Sequence, residues 1–241
     1  MLARRRSRNH SSLKRYIILG ALLLTAGGAV YLIWFSPTFT IQAIEVEGGE
    51  LAPEVDFNEA IGKNLIFYKP SFNLQSAPQT ASMEVEKKYL NRTVKFTLSS
   101  KERYAIWCLE VKVECFWIDE EGTAFALAPD IKGPLILRLV RDESERELSL
   151  GSKVLDESMF GNLKAAFVLL EDLDISVEEF KVENLKFREA IARTNGPTIY
   201  FSLQDDPSFG RAVVEQLRGS GEWDAIDYLD LRVPGRAYYS Q

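Results

Sequence analysis

Hydrophobic residues form one unbroken run near the start of the chain and alternate with polar residues over most of the remaining sequence. The run covers residues 16–35, YIILGALLLTAGGAVYLIWF, and holds no charged residue. As a helix rising about 1.5 Å per residue, it reaches roughly 30 Å, the thickness of the hydrocarbon core of a bilayer. Tyr31 and Trp34 lie near its outer end, where aromatic rings prefer the membrane interface. We therefore predict a transmembrane helix over residues 16–35.

A cleaved signal peptide is the alternative interpretation of this segment. Its apolar core would be about 7–15 residues long and would end at a small-x-small cleavage site. The run here is longer, and Ser36-Pro37-Thr38-Phe39 offers no such site. The pattern therefore favours a permanent anchor.

The distribution of charge predicts the direction of that anchor. Six basic residues and no acidic residue precede the run: Arg4, Arg5, Arg6, Arg8, Lys14 and Arg15. Positively charged flanks stay on the cytoplasmic side, so residues 1–15 are expected to be a cytoplasmic tail and residues 36–241 to lie outside. Without these six, 23 basic residues face 35 acidic ones, a net charge of −12. An acidic outer part argues against nucleic-acid binding, whereas the basic tail suits an anionic inner leaflet.

A small first domain is predicted over residues 38–103. Alternation over residues 39–47 predicts a strand, which a Gly-Gly pair ends, and residues 53–61 favour a short helix. Residues 70–78 are ambiguous, with room for a second short helix. Two further strands are predicted at residues 83–89 and 94–98, joined by a turn at Asn91-Arg92.

From residue 104 the pattern changes to short strands interrupted by two helices. Residues 159–173 place apolar side chains at helical spacing, and Asp206-Pro207 is typical of a helix start. The predicted strands are residues 105–109, 115–119, 123–127, 135–140, 177–182, 185–193, 198–203, 226–233 and 237–239. We therefore expect an α+β chain in which residues 104–241 form a mostly antiparallel β domain with two helices.

The two cysteines, Cys108 and Cys115, both follow the anchor. If residues 106–109 and 115–118 pair as a hairpin, the cysteines face each other across it, and an oxidising compartment allows a disulfide there. The alternative is a pair of reduced, buried cysteines that act as small hydrophobic residues.

The residues that usually carry out catalysis or hold metal ions are scarce outside the anchor. The single histidine is His10, in the basic tail, which argues against histidine-based nucleophile activation or metal binding on the outer side. The acidic clusters 119–121 and 205–206 precede turn or helix-start signals, which favours solvated turns and N-caps over acid–base or ion-binding roles. We expect no enzyme activity, no cofactor and no metal.

Four segments together resemble the FtsQ/DivIB family of bacterial cell-division proteins. Residues 39–49, FTIQAIEVEGG, look like the first strand of that family's POTRA domain. Residues 85–107 are similar to its following strand pair, which ends in a Glu-Arg dipeptide, here Glu102-Arg103. Residues 115–125, CFWIDEEGTAF, resemble its next hairpin, and residues 225–239, AIDYLDLRVPGRAYY, its closing strand with an Asp-Leu-Arg core.

The resemblance implies a fold and a function. The fold would be a transmembrane helix, a small POTRA domain of β-α-α-β-β order and a β domain. The function would be that of a divisome scaffold in the bacterial inner membrane at the division septum. Its partners would be small coiled-coil subunits of the FtsB/DivIC and FtsL types and, indirectly, the septal cell-wall synthases.

In this family the partner typically adds a strand to the C-terminal edge, which would here be a last strand running from Arg232 to Tyr239, unless Pro234-Gly235 interrupts it and shortens the usable edge. The residues expected to contact the partner are Arg232, Val233, Arg236, Ala237, Tyr238 and Tyr239. The tyrosines would serve as amphipathic anchors, and the arginines would pair with partner carboxylates. The alternative is that Tyr228, Leu231, Val233 and Tyr238 simply close the core, and for these evenly spaced residues we favour it.

A second function of a different class remains open. A POTRA-bearing envelope protein of secretion or outer-membrane assembly also handles its substrates by strand addition. Such proteins usually carry repeated POTRA units or a barrel, and neither is visible in this sequence.

Overall fold

The computed structural model describes residues 10–49, 56–70, 77–130 and 138–240, with side chains from Arg15 onward. Within these ranges the chain is α+β, as predicted. It divides into two compact units. Described residues 10–49, 56–70 and 82–99 form the first unit, and residues 77–81 and 100–240 form the second.

Helix α1 (His10–Phe35) contains the uncharged run. Its segment Arg15–Phe35 is 21 residues long and is the one helix of the described ranges that is long and apolar enough to cross a membrane. None of its apolar window is buried by protein, which confirms the prediction of an N-terminal helix of spanning length. Directly after it, Ser36 caps the 3₁₀ helix Pro37–Phe39 by accepting a hydrogen bond from the Thr38 amide.

The first unit contains a three-stranded sheet. Its strands are β1 (Ala43–Glu47), β2 (Thr80–Lys88) and β3 (Thr93–Ser100), in the order β1-β3-β2, with β1 parallel to β3. A small core lies against the sheet and is formed by Ile41, Ala60, Leu65, Val94 and Phe96.

The predictions for this unit are confirmed at its second half and corrected at its start. The strand expected from residue 39 begins at Ala43, because the Ser-Pro pair after α1 starts a 3₁₀ helix instead. The helix expected over residues 53–61 is a short 3₁₀ helix, Phe57–Ala60, which Asp56 caps. The possible second helix falls mostly on residues 71–76, outside the described residues. The strand pair and its turn are present as β2 and β3.

The second unit is built on a nine-stranded sheet. Its order is β12-β11-β10-β9-β8-β7-β4-β5-β6. The strands are β4 (Ala105–Leu109), β5 (Glu114–Ile118), β6 (Ala124–Ala128), β7 (Leu139–Asp142), β8 (Val177–Val182), β9 (Glu189–Thr194), β10 (Thr198–Ser202), β11 (Tyr228–Leu231) and β12 (Tyr238–Ser240). Five pairings are antiparallel. Three are parallel, namely β4 with β7, β7 with β8 and β10 with β11, so the sheet is mixed.

Helices α2 (Glu157–Asp172) and α3 (Gly210–Ser220) join one face of this sheet in a single core. Asp156 caps α2, and Asp206 caps the 3₁₀ turn before α3, as the Asp-Pro signal predicted. Phe167 of α2 meets Phe180 of β8 with ring centroids 4.6 Å apart. The opposite face of the sheet carries the cysteines, a belt of ion pairs and several tyrosines.

Candidate partner-binding edge

Strand β12 lies at one end of the nine-stranded sheet and pairs with β11 in antiparallel register. Tyr239 lies opposite Leu229 and Tyr238 opposite Asp230. Cross-strand partners share a face, so Tyr239 lies on the helix-covered face and Tyr238 on the other. The two side chains are 45% and 49% exposed, respectively. The end of the sheet therefore presents one tyrosine on each side.

The last strand does not run from Arg232 to Tyr239, because it is interrupted at Pro234-Gly235, the alternative that the sequence left open. Strand β11 ends at Leu231, and Val233-Pro234-Gly235-Arg236 forms a turn closed by a 3.0 Å hydrogen bond from the Arg236 amide to the Val233 carbonyl. Gly235 has φ of +70°, and Pro followed by such a glycine fits a type II turn. Of the six residues expected to contact a partner, only Tyr238 and Tyr239 lie in the last strand.

The Arg232 side chain forms ion pairs with residues of its own chain. Its guanidinium donates two hydrogen bonds to Asp230, at 2.9 and 2.6 Å, and one to Glu189 of β9, at 2.8 Å. It also lies over the Tyr200 ring of β10, 5.2 Å from the centroid. The side chain thus links β9 to β11 across β10. Arg232 therefore acts as a clip between strands, and its expected contact with a partner stays a prediction.

This clip changes the acid–base properties of both groups. The hydrogen bond from Arg232, opposed by burial, holds the pKa of the Asp230 carboxyl below its ordinary value of 3.8. The hydrogen bond to Asp230 in turn raises the pKa of the Arg232 guanidinium. Both groups therefore carry their charges throughout the neutral pH range.

Arg236, the last residue of the turn, is available to a partner. Arg236 is exposed, and within the described part of the chain its side chain makes no ion pair or hydrogen bond. Val233 is 43% exposed, while Ala237 packs against the core. The edge is therefore bordered by one unpaired cation and one apolar side chain.

The alternative role in closing the core holds for one residue of the four. Leu231 is 3% exposed and belongs to the core. Tyr228, Val233 and Tyr238 are between 37% and 49% exposed, so the expectation that they fill the interior is wrong. Tyr228 instead meets Tyr200 edge-on, with centroids 6.1 Å apart.

Sequence reasoning missed that Tyr200 belongs to this surface. The parallel register places Tyr200 of β10 beside Asp230 of β11, which lies beside Tyr238 of β12. Tyr200, Tyr228 and Tyr238 therefore lie on the same face of the sheet, opposite the helices. No local sequence signal marks Tyr200, because its proximity depends on the parallel pairing of two strands that are separated by α3.

A disulfide joins Cys108 and Cys115 in the structure. The two residues are opposite each other in the β4–β5 pair, and both are buried. The Asp130 carboxylate lies close to both sulfur atoms, but it accepts a 3.0 Å hydrogen bond from Arg141. The bonded sulfurs and this ion pair account for the cluster without a metal ion.

The acidic clusters act in local structure. Asp119 accepts hydrogen bonds from the Glu121 and Thr123 amides in the β5–β6 turn and pairs with Lys101 at 2.5 Å. Burial raises the pKa of the Asp119 carboxyl, but the hydrogen bonds from Lys101 and Thr123 outweigh it, so the pKa is lowered overall. Asp206 is the N-cap described above. These roles agree with the interpretation as turns and caps.

A groove of about 640 Å³ crosses the face of the sheet opposite the helices, above β7, β8 and β9. Most of its charged side chains pair with one another or with neighbouring side chains. Arg141 forms ion pairs with Glu110, Asp130 and Glu179. Lys181 forms ion pairs with Glu143 and Glu183. The groove is a belt of ion pairs that joins neighbouring strands.

No protein-family model matches this chain, and no curated protein matches it at a significant level.

Proposed function

We propose that this protein is a single-pass membrane scaffold that holds its second unit outside the cytoplasm and binds another protein by strand addition at β12. The observation that carries the proposal is the terminal position of β12 in the nine-stranded sheet. A terminal strand can accept a further strand through main-chain hydrogen bonds, while side chains on its two faces give specificity. Tyr238 and Tyr239 supply one anchor for each face.

Helix α1 supports the membrane part of this proposal. An apolar helix of this length, with a basic tail before it and an acidic chain after it, is oriented with the tail in the cytoplasm. The scaffold would then lie on the outer side of a bacterial inner membrane. The oxidising conditions there are those in which the Cys108–Cys115 disulfide persists.

The resemblance to the FtsQ/DivIB family suggests the biological setting. The partner is then a small coiled-coil divisome subunit of the FtsB/DivIC type, with an FtsL-type subunit beside it and the septal cell-wall synthases linked indirectly. In this proposal the first unit is a POTRA domain. Its sheet order, β1-β3-β2 with β1 parallel to β3, is compatible with that assignment.

The partner segment that fits this edge has a definable chemistry. It is an extended peptide with a carboxylate placed to reach Arg236 and apolar side chains for the two tyrosines. Arg232 contributes by fixing β11 rather than by contact with the partner. This separates contact residues from supporting residues within one short segment.

The test is capture of the coiled-coil partner by the full chain in detergent. Replacing both anchors, in the variant Tyr238→Ser/Tyr239→Ser, is expected to weaken binding about 30-fold, which corresponds to the roughly 2 kcal/mol of an interface hot spot. Leu127→Ser is the matched control, because Leu127 is an exposed apolar residue on β6 at the opposite end of the sheet. That variant should bind like the parent protein.

Equal capture by the two variants would refute the assignment of β12, provided that near-ultraviolet circular dichroism shows both to be folded. The location of a fluorescent fusion separates division from general envelope assembly. A ring at midcell supports the divisome scaffold. An even distribution over the envelope supports the secretion or assembly alternative instead.

A further inference from the structure

We propose that two loops of the first unit form a second membrane contact, which rests on the outer leaflet beside α1. The loops are residues 61–69 and the turn at residues 89–92, and we call them the membrane-proximal loops. The inference requires that α1 crosses the membrane, as proposed above, but it is independent of β12 and its partner.

The first loop is attached directly to the end of α1. The side-chain amide of Asn64 donates hydrogen bonds to the last carbonyls of the helix, at 2.9 Å to Ile33 and 3.3 Å to Trp34. The Phe67 ring packs on the Trp34 ring with centroids 4.5 Å apart. Because Trp34 lies at the outer end of the apolar span, Phe67 lies at the level of the membrane interface.

The second loop lies at the same end of the unit. Strands β1 and β3 are parallel, so the turn that precedes β3 lies beside the residues that precede β1. The Gln42 amide donates a 2.9 Å hydrogen bond to the Arg92 carbonyl. Lys87, just before the turn, donates a 3.1 Å hydrogen bond to the Ile66 carbonyl of the first loop. The two loops are thus neighbours.

Both loops expose apolar side chains. Leu90 at the tip of the turn is 100% exposed, and Tyr89 beside it is 55% exposed. In the first loop Ile61 is 49% and Phe67 is 48% exposed. Large apolar residues grouped at one end of a small unit mark an interaction surface. Contact with lipid removes them from water.

The charge of the loops suits phosphate groups. Lys63 and Lys69 are exposed and line a shallow groove of about 330 Å³ together with Asn64, Phe67 and Tyr68. The only ion pair of Lys63 within the described chain is a 3.9 Å contact with Glu59. Aromatic and aliphatic side chains flanked by lysines are the composition of segments that lie in the membrane interface. The lysines would bind phosphates of anionic lipids, while Leu90 and Phe67 enter the acyl boundary.

The test uses the full chain in lipid vesicles with a photoreactive benzoyl-phenylalanine at one position at a time. Leu90 is the test position, and Leu24 in α1, 79% exposed on the apolar helix, is the positive control. Thr97 is the negative control. It is exposed, but it lies four residues after Thr93, the first residue of β3, and so about 13 Å from the turn at residues 89–92. After irradiation, mass spectrometry identifies adducts.

The expected result is lipid adducts at Leu90 and Leu24, several-fold above Thr97. The variant Lys63→Glu/Lys69→Glu should reduce the Leu90 yield in vesicles with anionic lipid and have little effect in purely zwitterionic vesicles. A Leu90 yield no higher than that of Thr97 would overturn this inference while Leu24 still supports the anchor. Adducts of Leu90 with protein alone would overturn it in favour of a protein interface. Absence of lipid adducts at Leu24 would overturn both the anchor and the inference.

Discussion

At one end of the nine-stranded sheet, β6 hydrogen-bonds on its outer side to a segment of its own chain, whereas β12 at the other end is the terminal strand and pairs with β11. The Ala124 amide donates to the Ser152 carbonyl at 2.9 Å, and the Ala124 carbonyl accepts from the Gly151 amide at 2.7 Å. The β6 end is therefore partly closed by the protein itself. The β12 end is the one that carries the exposed tyrosine pair.

The two ends also differ in how the inner strands are held. Near the β6 end a disulfide joins β4 to β5. Near the β12 end an ion-pair clip made by Arg232 joins β9 to β11. A disulfide is unaffected by salt or by acidic pH, whereas an ion pair weakens as the salt concentration rises and as the carboxylate is protonated at low pH. The comparison indicates that the end assigned to partner binding is the less rigidly closed one.

The largest expected effect comes from a glycine in the turn before β6. Gly122 has φ of +74°, and an added Cβ would lie 2.8 Å from the Phe160 ring in the core. Strained backbone and steric conflict together should lower the free energy of unfolding of Gly122→Ala by about 3 kcal/mol. Gly235 before β12 has a similar φ but open space around it, so Gly235→Ala should lose only about 1 kcal/mol. Urea denaturation followed by tryptophan fluorescence measures both. Equal losses would show that the two turns are equally tolerant.

Loss of the disulfide should have the next largest effect. The bond closes a short loop with a sequence separation of 7. The variant Cys108→Ala/Cys115→Ala should lower the free energy of unfolding by about 2 kcal/mol, because its unfolded chain has more conformational entropy. The same denaturation experiment measures it, and the parent protein in reductant is the control. Mass spectrometry of non-reduced peptides checks the premise, because free thiols in protein from the envelope would contradict the bond.

Removal of the clip should have a smaller effect on stability. Arg232→Met is expected to lower the free energy of unfolding by about 0.5 kcal/mol, since the Arg232 side chain is partly exposed and solvent screens the pair. Arg211→Met is the matched control, because among the described residues Arg211 forms one ion pair, with Asp172, and that pair is more exposed. Its loss should be smaller still. A loss of stability for Arg211→Met that equals that for Arg232→Met would argue against a linking role for Arg232.

The pH dependence of the clip gives the smallest and most specific effect. The pKa of the Asp230 carboxyl is lowered in the folded protein, so the clip stabilises the fold fully above the ordinary pKa of 3.8. Its contribution is lost as the pH falls from 3.8 through the lowered pKa of the Asp230 carboxyl. The stabilities of the parent protein and Arg232→Met should therefore differ at neutral pH and converge as the pH falls below 3.8. A difference that is constant with pH would contradict this account.

The sequence predicted the local elements well and their assembly poorly. Strands β4 and β8 occupy residues 105–109 and 177–182 as expected, because alternation is a local property. The parallel pairings of β7 with β4 and β8 join segments far apart in the chain, and no local pattern specifies them. They are the reason that the sheet is mixed.

At the candidate site the same distinction applies. Pro234-Gly235 was visible as an interruption, and the structure places the turn there. The binding partner of Arg232 could not be found from the sequence, because Glu189 reaches it only once β9, β10 and β11 lie side by side. An arginine near an open strand looks like a contact residue until its neighbours across the sheet are known.

The hydrogen bonds from Asn64 to the end of α1 have a mechanical consequence. A chain that leaves a helix through a flexible tether acts as a swivel, and the domain beyond it rotates freely about the helix axis. Here the Asn64 side-chain amide donates hydrogen bonds to two successive carbonyls of the last turn of α1, and the Phe67 ring packs on the Trp34 ring. A sideways pull on the first unit would therefore reach α1 as torque and turn the helix together with the domain.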